Sequence, residues 1–300
     1  MKTAQSDRAA LMWMAVTVLI WGSGWVMMKA LAQRIGPFDL VALRYAVGFV
    51  TLLVIILVLR RPLKFPPFWF TIGIAVFQTT AYQCLVQMAL VAGGTGRVVM
   101  VAYTMPFWVA LFAWAVVGDR PTRRHWIGFV PAALGLTAVI QPWQGLGGIG
   151  PSLLALAGGM SWALGTLFSK MMFQRSRPDV LSLTMWQLLL GTLLALPFGW
   201  VMPQPTIVWD GGAVLGILYL GVMSSAAAWG LWLMVVSRIH PTVAGMAGLG
   251  VPVVAVIGAW IALGERPEPI EQVGMLLMMV GLIIVSWSPR ASADKSHKKA

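Results

Sequence analysis

Charge is scarce in this 300-residue sequence: 10% of its residues are Asp, Glu, Lys or Arg, and only 9 of them are acids. An average soluble domain carries about 25%, so a water-facing globule is excluded as the principal architecture. Cysteine is nearly absent. Cys84 stands alone, which excludes an intrachain disulfide and any thiolate metal cluster. The 3 histidines are His125, His240 and His297. None is spaced with carboxylates as a zinc site or grouped with a serine as a triad. An intramembrane enzyme, such as a lipid-modifying transferase or protease, therefore lacks its machinery, and no cofactor or metal is expected.

Apolar sequence is abundant instead, at 59% of the chain. It falls into long runs at 9–28, 45–59, 65–96, 98–118, 126–169, 180–209, 211–237, 239–264 and 272–289. Each is long enough for a tilted helix crossing about 30 Å of hydrocarbon. The run 126–169 is interrupted by Gln141-Pro142-Trp143-Gln144-Gly145 and the glycines up to Pro151, a stretch that punctuates rather than continues a helix. The nine runs therefore predict ten transmembrane helices in an all-α integral membrane protein. The first run, longer than the apolar core of a signal peptide, is read as the first of them.

The net charge of +12 would fit a nucleic-acid partner if the basic residues formed a patch. They lie in alternate connections instead. Lys2, Arg8, Arg60, Arg61, Lys64, Arg120, Arg123, Arg124, Arg175, Arg177, Arg238, Arg290, Lys295, Lys298 and Lys299 fall on one side, and Arg34, Arg97 and Arg266 on the other. This bias predicts cytoplasmic N- and C-termini and removes the case for nucleic acid.

The chain also repeats itself. Trp21, Gly24, Lys29 and Pro37 recur at one offset as Trp162, Gly165, Lys170 and Pro178. Pro106, Gly118-Asp119-Arg120-Pro121, Gly128 and Gly135 recur at a second offset as Pro252, Gly264-Glu265-Arg266-Pro267, Gly274 and Gly281. The predicted division is a five-helix repeat in 1–145, a second in 146–290, and a basic tail in 291–300. Five is odd, so the second copy enters the membrane from the opposite side. Inverted repeats allow the halves to exchange conformations, which is the symmetry of alternating access.

The motifs Trp21-Gly22-Ser23 with Lys29, Leu43-Arg44-Tyr45 after Pro37, and Tyr103-Thr104-Met105-Pro106 before Gly118-Asp119-Arg120-Pro121 resemble the drug/metabolite transporter superfamily, in particular its ten-helix EamA-type exporters. Val251-Pro252 and Gly264-Glu265-Arg266-Pro267 supply the matching text of the second half, and the resemblance spans roughly 10–288. Asp119 stands where Glu is usual, and no arginine in the second half matches Arg44. The resemblance implies a bacterial inner-membrane exporter of small metabolites, and the overall look is similar to the YddG-like amino-acid exporters. A multidrug or nucleotide-sugar-type carrier is the alternative; a phosphorylated cargo would call for a cluster of deep Lys and Arg, which is missing. The expected partners are a small-molecule substrate and membrane lipid. Gly128 with Gly135 and Gly274 with Gly281 are read as packing between the halves rather than an oligomer interface, consistent with a working monomer.

Polar and aromatic residues deep in apolar runs mark the expected cavity. The third helix carries Gln78, Thr79, Thr80, Tyr82, Gln83 and Gln87; its copy carries the plainer Ser224, Ser225 and Trp229. With Trp21, Trp25, Tyr103, Trp108, Trp162, Trp186 and Trp229 the expected lining suits a hydrophobic or aromatic solute, although each aromatic alone is more often packing. Pro106 and Pro252, at matching places in inverted halves, are candidate hinges, a static kink being the plainer reading. Lys29 and Arg44 sit within about two turns of a helix end; they either snorkel to the interface or attract a substrate carboxylate. Asp39, Asp179 and Asp210 are read at helix ends and the other acids in loops or tails, so no carboxylate is expected at a helix centre and the obvious proton-coupling group is lacking. Transport of neutral or zwitterionic solutes is the resulting expectation.

Overall fold

The computed structural model of the chain describes residues 2–144, 149–236 and 246–286. His240, His297, Trp287 and the basic tail from 291 lie outside the described residues. Among the described residues ten long helices follow one another: α1 (Lys2–Leu31), α2 (Pro37–Val58), α3 (Phe68–Ala92), α4 (Thr95–Val117), α5 (Arg123–Ile140), α6 (Gly150–Arg175), α7 (Val180–Val201), α8 (joined segments Gly211–Leu218, Tyr219–Ala227 and Ala228–Val236), α9 (Met246–Leu263) and α10 (Pro269–Ser286). No strand occurs among the described residues.

Nine of these helices are long and apolar enough to cross a membrane. The tenth, α5, is 18 residues long, as α10 is, but opens on Arg123, Arg124 and His125, which dilute its hydropathy. It nevertheless packs along the whole of α10.

Contact between α5 and α10 reveals the symmetry most directly. A Cβ on Gly128 would stand 2.9 Å from the Gly281 carbonyl oxygen, and one on Gly135 would stand 2.5 Å from that of Gly274. The sequence copies of Gly128 and Gly135 are Gly274 and Gly281, so each glycine meets the copy of the other. That crossed pairing requires antiparallel copies related by a two-fold axis. Each glycine also brings backbone against backbone, as small residues do in membrane helix pairs.

The same axis relates α2 to α7. A Cβ on Gly48 would meet Leu188 at 3.0 Å, and one on Gly191 would meet the Tyr45 ring at 3.1 Å. Between these two self-related pairs, α1 packs on α8 and α9 of the second half, and α6 packs on α3 and α4 of the first.

Local irregularities are duplicated as well. Helices α3 and α8 each widen into a π-helical stretch, Ile74–Ala81 and Tyr219–Ala227. Such stretches misalign the backbone ladder and leave carbonyls for other donors. The Phe77 carbonyl accepts from Ser161 Oγ at 2.7 Å, and the Ser224 carbonyl accepts from Trp21 Nε1 at 3.1 Å, each bond crossing between halves. Helix α4 is interrupted at Tyr103 and Thr104, just before Pro106, and α9 at Leu249, just before Pro252. Each proline therefore sits in the first turn of a restarted helix, where its missing N–H costs least, rather than inside an unbroken one. Gly118 and Gly264 end the two helices with φ of 80° and 69°, a left-handed cap that favours glycine.

Four ion pairs occur among the described residues, and every one joins the first half to the second. Arg61–Asp179 at 3.0 Å and Lys170–Asp119 at 2.5 Å lie at the Arg-rich end of the bundle, here the basic end. Arg34–Asp210 at 3.1 Å and Arg97–Glu271 lie at the opposite, acidic end. Glu271, expected in a loop, instead occupies the first turn of α10, where its charge complements the helix N-terminus.

Candidate functional site

Where α1, α2, α3, α4 and their copies converge, they enclose a central cavity of about 460 Å³. Eight aromatic residues reach it: Trp21 and Trp25 of α1, Tyr45, Tyr82, Tyr103, and Trp162, Trp229 and Trp232 from the second half. Trp162 and Trp229 stack with centroids 6.3 Å apart and planes 23° from parallel. Trp21 meets Trp229 edge-on at 5.7 Å, and Tyr82 meets Trp162 edge-on at 4.7 Å. Such pairs hold one another rigidly and leave apolar faces toward the space between them.

The polar part of the wall is small and concentrated. Gln78, Thr79 and Gln83 come from α3, Gln187 from α7, and Ser224 and Ser225 from α8. The π-helical turns of α3 and α8 carry Gln78, Thr79, Ser224 and Ser225, which positions these side chains on the inward face. No Asp, Glu or His lines the cavity among the described residues.

One charge does. Arg44 of α2 is only 6% exposed, and its guanidinium faces the cavity rather than snorkelling to the interface. Its Nη2 and Nε donate to Ser225 Oγ at 3.0 and 3.3 Å, and Nη2 approaches Ser224 Oγ at 3.5 Å. Nη1 is directed at the Met28 sulfur at 3.0 Å. No carboxylate pairs with it among the described residues. Guanidinium remains charged at any physiological pH, so this is a buried cation held only by neutral groups.

Other sequence candidates fall elsewhere. Lys29 lies outside the cavity lining: its ammonium donates to the carbonyls of Leu90 and Gly93 at 2.7 and 2.8 Å, closing the last turn of α3. This is a lysine acting on a helix C-terminus, where cations are favoured. Trp108 donates its indole N–H to Thr104 Oγ1 at 3.1 Å and does not line the cavity. Trp186 packs on Phe65 with centroids 4.9 Å apart, also away from it. Pro106 reaches the cavity wall; Pro252 lies one residue beyond Val251, which does.

Met28 and Gln187 line the cavity without having been singled out by the sequence, and Tyr45, noted only within the Leu43-Arg44-Tyr45 motif, joins them. The register of Gln187 appears only in the structure: Gly48 meets Leu188 as Gly191 meets Tyr45, which pairs Gln187 with Arg44, so the cation of one half is an amide in the other.

Toward the basic end the lining continues to Trp232, Gly248, Leu249 and Ser286. At the acidic end the two halves are tied together. Arg97 bonds Glu271, Glu265 Oε2 accepts the Thr95 backbone N–H at 2.6 Å, and Glu268 Oε2 accepts from Gln141 Nε2 at 3.2 Å. These contacts join the start of α4 and the end of α5 to the α9–α10 connection and the first turn of α10.

Two inverted bundles of membrane-crossing helices around a shared polar and aromatic cavity define a multi-pass membrane transporter. The sequence profile of the EamA-like transporter family matches twice, over residues 8–141 and 150–287, and the chain belongs to that family. Among relatives, a "Probable amino-acid metabolite efflux pump" of Salmonella typhimurium is 28% identical over 278 residues, covering 90% of this chain and 92% of that protein. The "Uncharacterized transporter YoaV" of Bacillus subtilis is 25% identical over 272 residues, covering 89% and 92%. A solved crystal structure superposes with a TM-score of 0.65 over 92% of this chain and 96% of that one, at 19% identity, which shows the shared fold.

Proposed function

We propose that the protein exports small neutral or zwitterionic metabolites, hydrophobic or aromatic amino acids among them, by alternating access through the central cavity. The observation that carries this reading is the cavity wall itself: aromatic faces from both halves around a single buried cation, with no carboxylate among the described lining residues. A solute with an apolar body and a carboxylate satisfies both parts of that wall. A cationic drug would meet Arg44 without an acid to receive it, and a sugar phosphate would find one arginine where its charge calls for several. The printed name of the Salmonella relative supports the same class.

The basic end is assigned to the cytoplasm of a bacterial inner membrane, with both termini inside, on the bias of Lys and Arg. The ties at the acidic end then leave the protein closed outside, with its cavity lining directed inward. The functional unit is one chain, its halves dividing at the connection between α5 and α6. The protein carries its cargo unchanged, as a transporter rather than an enzyme.

Reconstitution into liposomes with a competition panel tests the reading. Unlabelled aromatic amino acids should compete with labelled phenylalanine, whereas sugar phosphates and quaternary ammonium dyes should not. Competition by dyes alone would transfer the protein to the multidrug class.

A further inference from the structure

Two of the strongest donors in the cavity are directed at one of the weakest acceptors in a protein. Arg44 Nη1 lies 3.0 Å and Gln83 Nε2 lies 2.9 Å from the sulfur of Met28. All three residues are buried and line the cavity. A thioether accepts hydrogen bonds poorly, and a guanidinium buried without a carboxylate is costly. The remaining partners of Arg44 are the Tyr45 ring, 5.4 Å from its guanidinium carbon, and the hydroxyls of Ser225 and Ser224, each of which also has a proton to donate. The result is a cluster of donors from α2, α3 and α8 with no anion in it.

We infer that this cluster is a carboxylate-binding site, that the Met28 thioether occupies it when no cargo is bound, and that the cargo's carboxylate displaces the sulfur. The inference rests on the proposed transport of zwitterions and specifies how the site selects them. A planar carboxylate accepts two parallel N–H bonds from a guanidinium, and its spare lone pairs match the Gln83 amide and the Ser225 hydroxyl. Methionine suits the placeholder role, because its unbranched side chain changes rotamer easily and its sulfur leaves no buried charge behind. The copy of Arg44 is Gln187, so only one pole of the symmetric cavity offers this charge. The cargo's carboxylate is thereby fixed toward α2 and α8, and its apolar group falls toward the rings of Trp162 and Trp229.

The test uses the purified full chain and follows quenching of its cavity tryptophans by phenylalanine, phenylalaninamide and 3-phenylpropionate. Wild type should bind phenylalanine and 3-phenylpropionate about 10- to 100-fold more tightly than the amide, the range expected of charge-assisted bonds. Arg44→Gln should abolish that preference while keeping the weak binding of the amide. Met28→Glu, which places a carboxylate beside Arg44, should block the acids even if Arg44→Gln fails to fold. Equal binding of acid and amide by wild type, or an unchanged preference in Arg44→Gln and Met28→Glu, would overturn the carboxylate site. Absence of any binding by all three compounds would instead remove the proposed cargo class, and the site with it.

Discussion

Trp162 stacks on Trp229 across the centre of the bundle, 6.3 Å between ring centroids, with both residues contributed by the second half. Trp21, the first-half copy of Trp162, closes on the edge of the same Trp229 at 5.7 Å. Aromatic contacts of this kind contribute about 0.5–1.5 kcal/mol beyond area burial. Trp229→Ala should therefore raise the KM for phenylalanine about 2- to 10-fold and leave that for alanine within twofold. Initial rates in proteoliposomes measure both, and an equal rise for the two amino acids would show that Trp229 only supports the fold.

The crossed glycine pairs of α5 and α10 leave no room for a methyl group. Gly135→Ala would put Cβ 2.5 Å from a backbone oxygen, so the helices must separate, at about 1–3 kcal/mol for overpacking. Its melting temperature in detergent should fall. Gly230→Ala is the control, since among the described residues nothing beyond its own neighbours and helix backbone lies within 4 Å of its added Cβ. Removing a glycine from a helix should leave stability equal or slightly higher there.

Lys29 and Arg44 separate on the same reasoning. Lys29→Gln removes the charge and the reach with which the ammonium closes the last turn of α3 on the Leu90 and Gly93 carbonyls. It should lower the melting temperature and reduce transport of carboxylated and uncharged solutes alike. A selective loss for carboxylated solutes would place Lys29 on the substrate path.

Arg97 and Glu271 tie the halves at the acidic end, with Glu271 only 7% exposed. Glu271→Gln removes one charge and keeps the shape, so opening at that end should become easier. A cysteine at Ser224, in a chain with Cys84 changed to alanine, reports it by labelling with an impermeant maleimide applied to the acidic face. Labelling should accelerate severalfold in Glu271→Gln; an unchanged rate would show that the Arg97–Glu271 pair does not hold the cavity closed.

Pro106 and Pro252 follow the interruptions of α4 and α9, and we propose that these helices bend there. Pro106→Ala and Pro252→Ala restore a backbone N–H and favour continuous helices. Each should slow exchange of substrate with little change in melting temperature. Exchange rates equal to wild type would reduce both prolines to static features.

The architecture was readable because repeats leave marks that composition does not: the Trp21 and Trp162 motifs, and the glycines of α5 and α10, keep fixed spacings. The positions of individual side chains around each helix were less readable. Helix α7 is apolar on every side, so Trp186 and Gln187, adjacent in sequence, carry no periodic signal of which one faces the cavity. The depth of Arg44 was hidden for a different reason. A charge two turns from a helix end is cheapest at the interface, and the serines on the π-helical turn of α8, with the Met28 sulfur, hold it inward. That turn has no signature in sequence, and the Met28 sulfur between Arg44 and Gln83 has none either.

Counterflow tests the central claim most directly. Vesicles containing the purified chain, preloaded with unlabelled phenylalanine and diluted into a trace of labelled phenylalanine, should accumulate label transiently above equilibrium without any ion gradient. Vesicles without protein should not. Failure to accumulate label, while an imposed proton gradient alone drives uptake, would contradict transport by exchange of a cavity that contains no acid among its described lining residues.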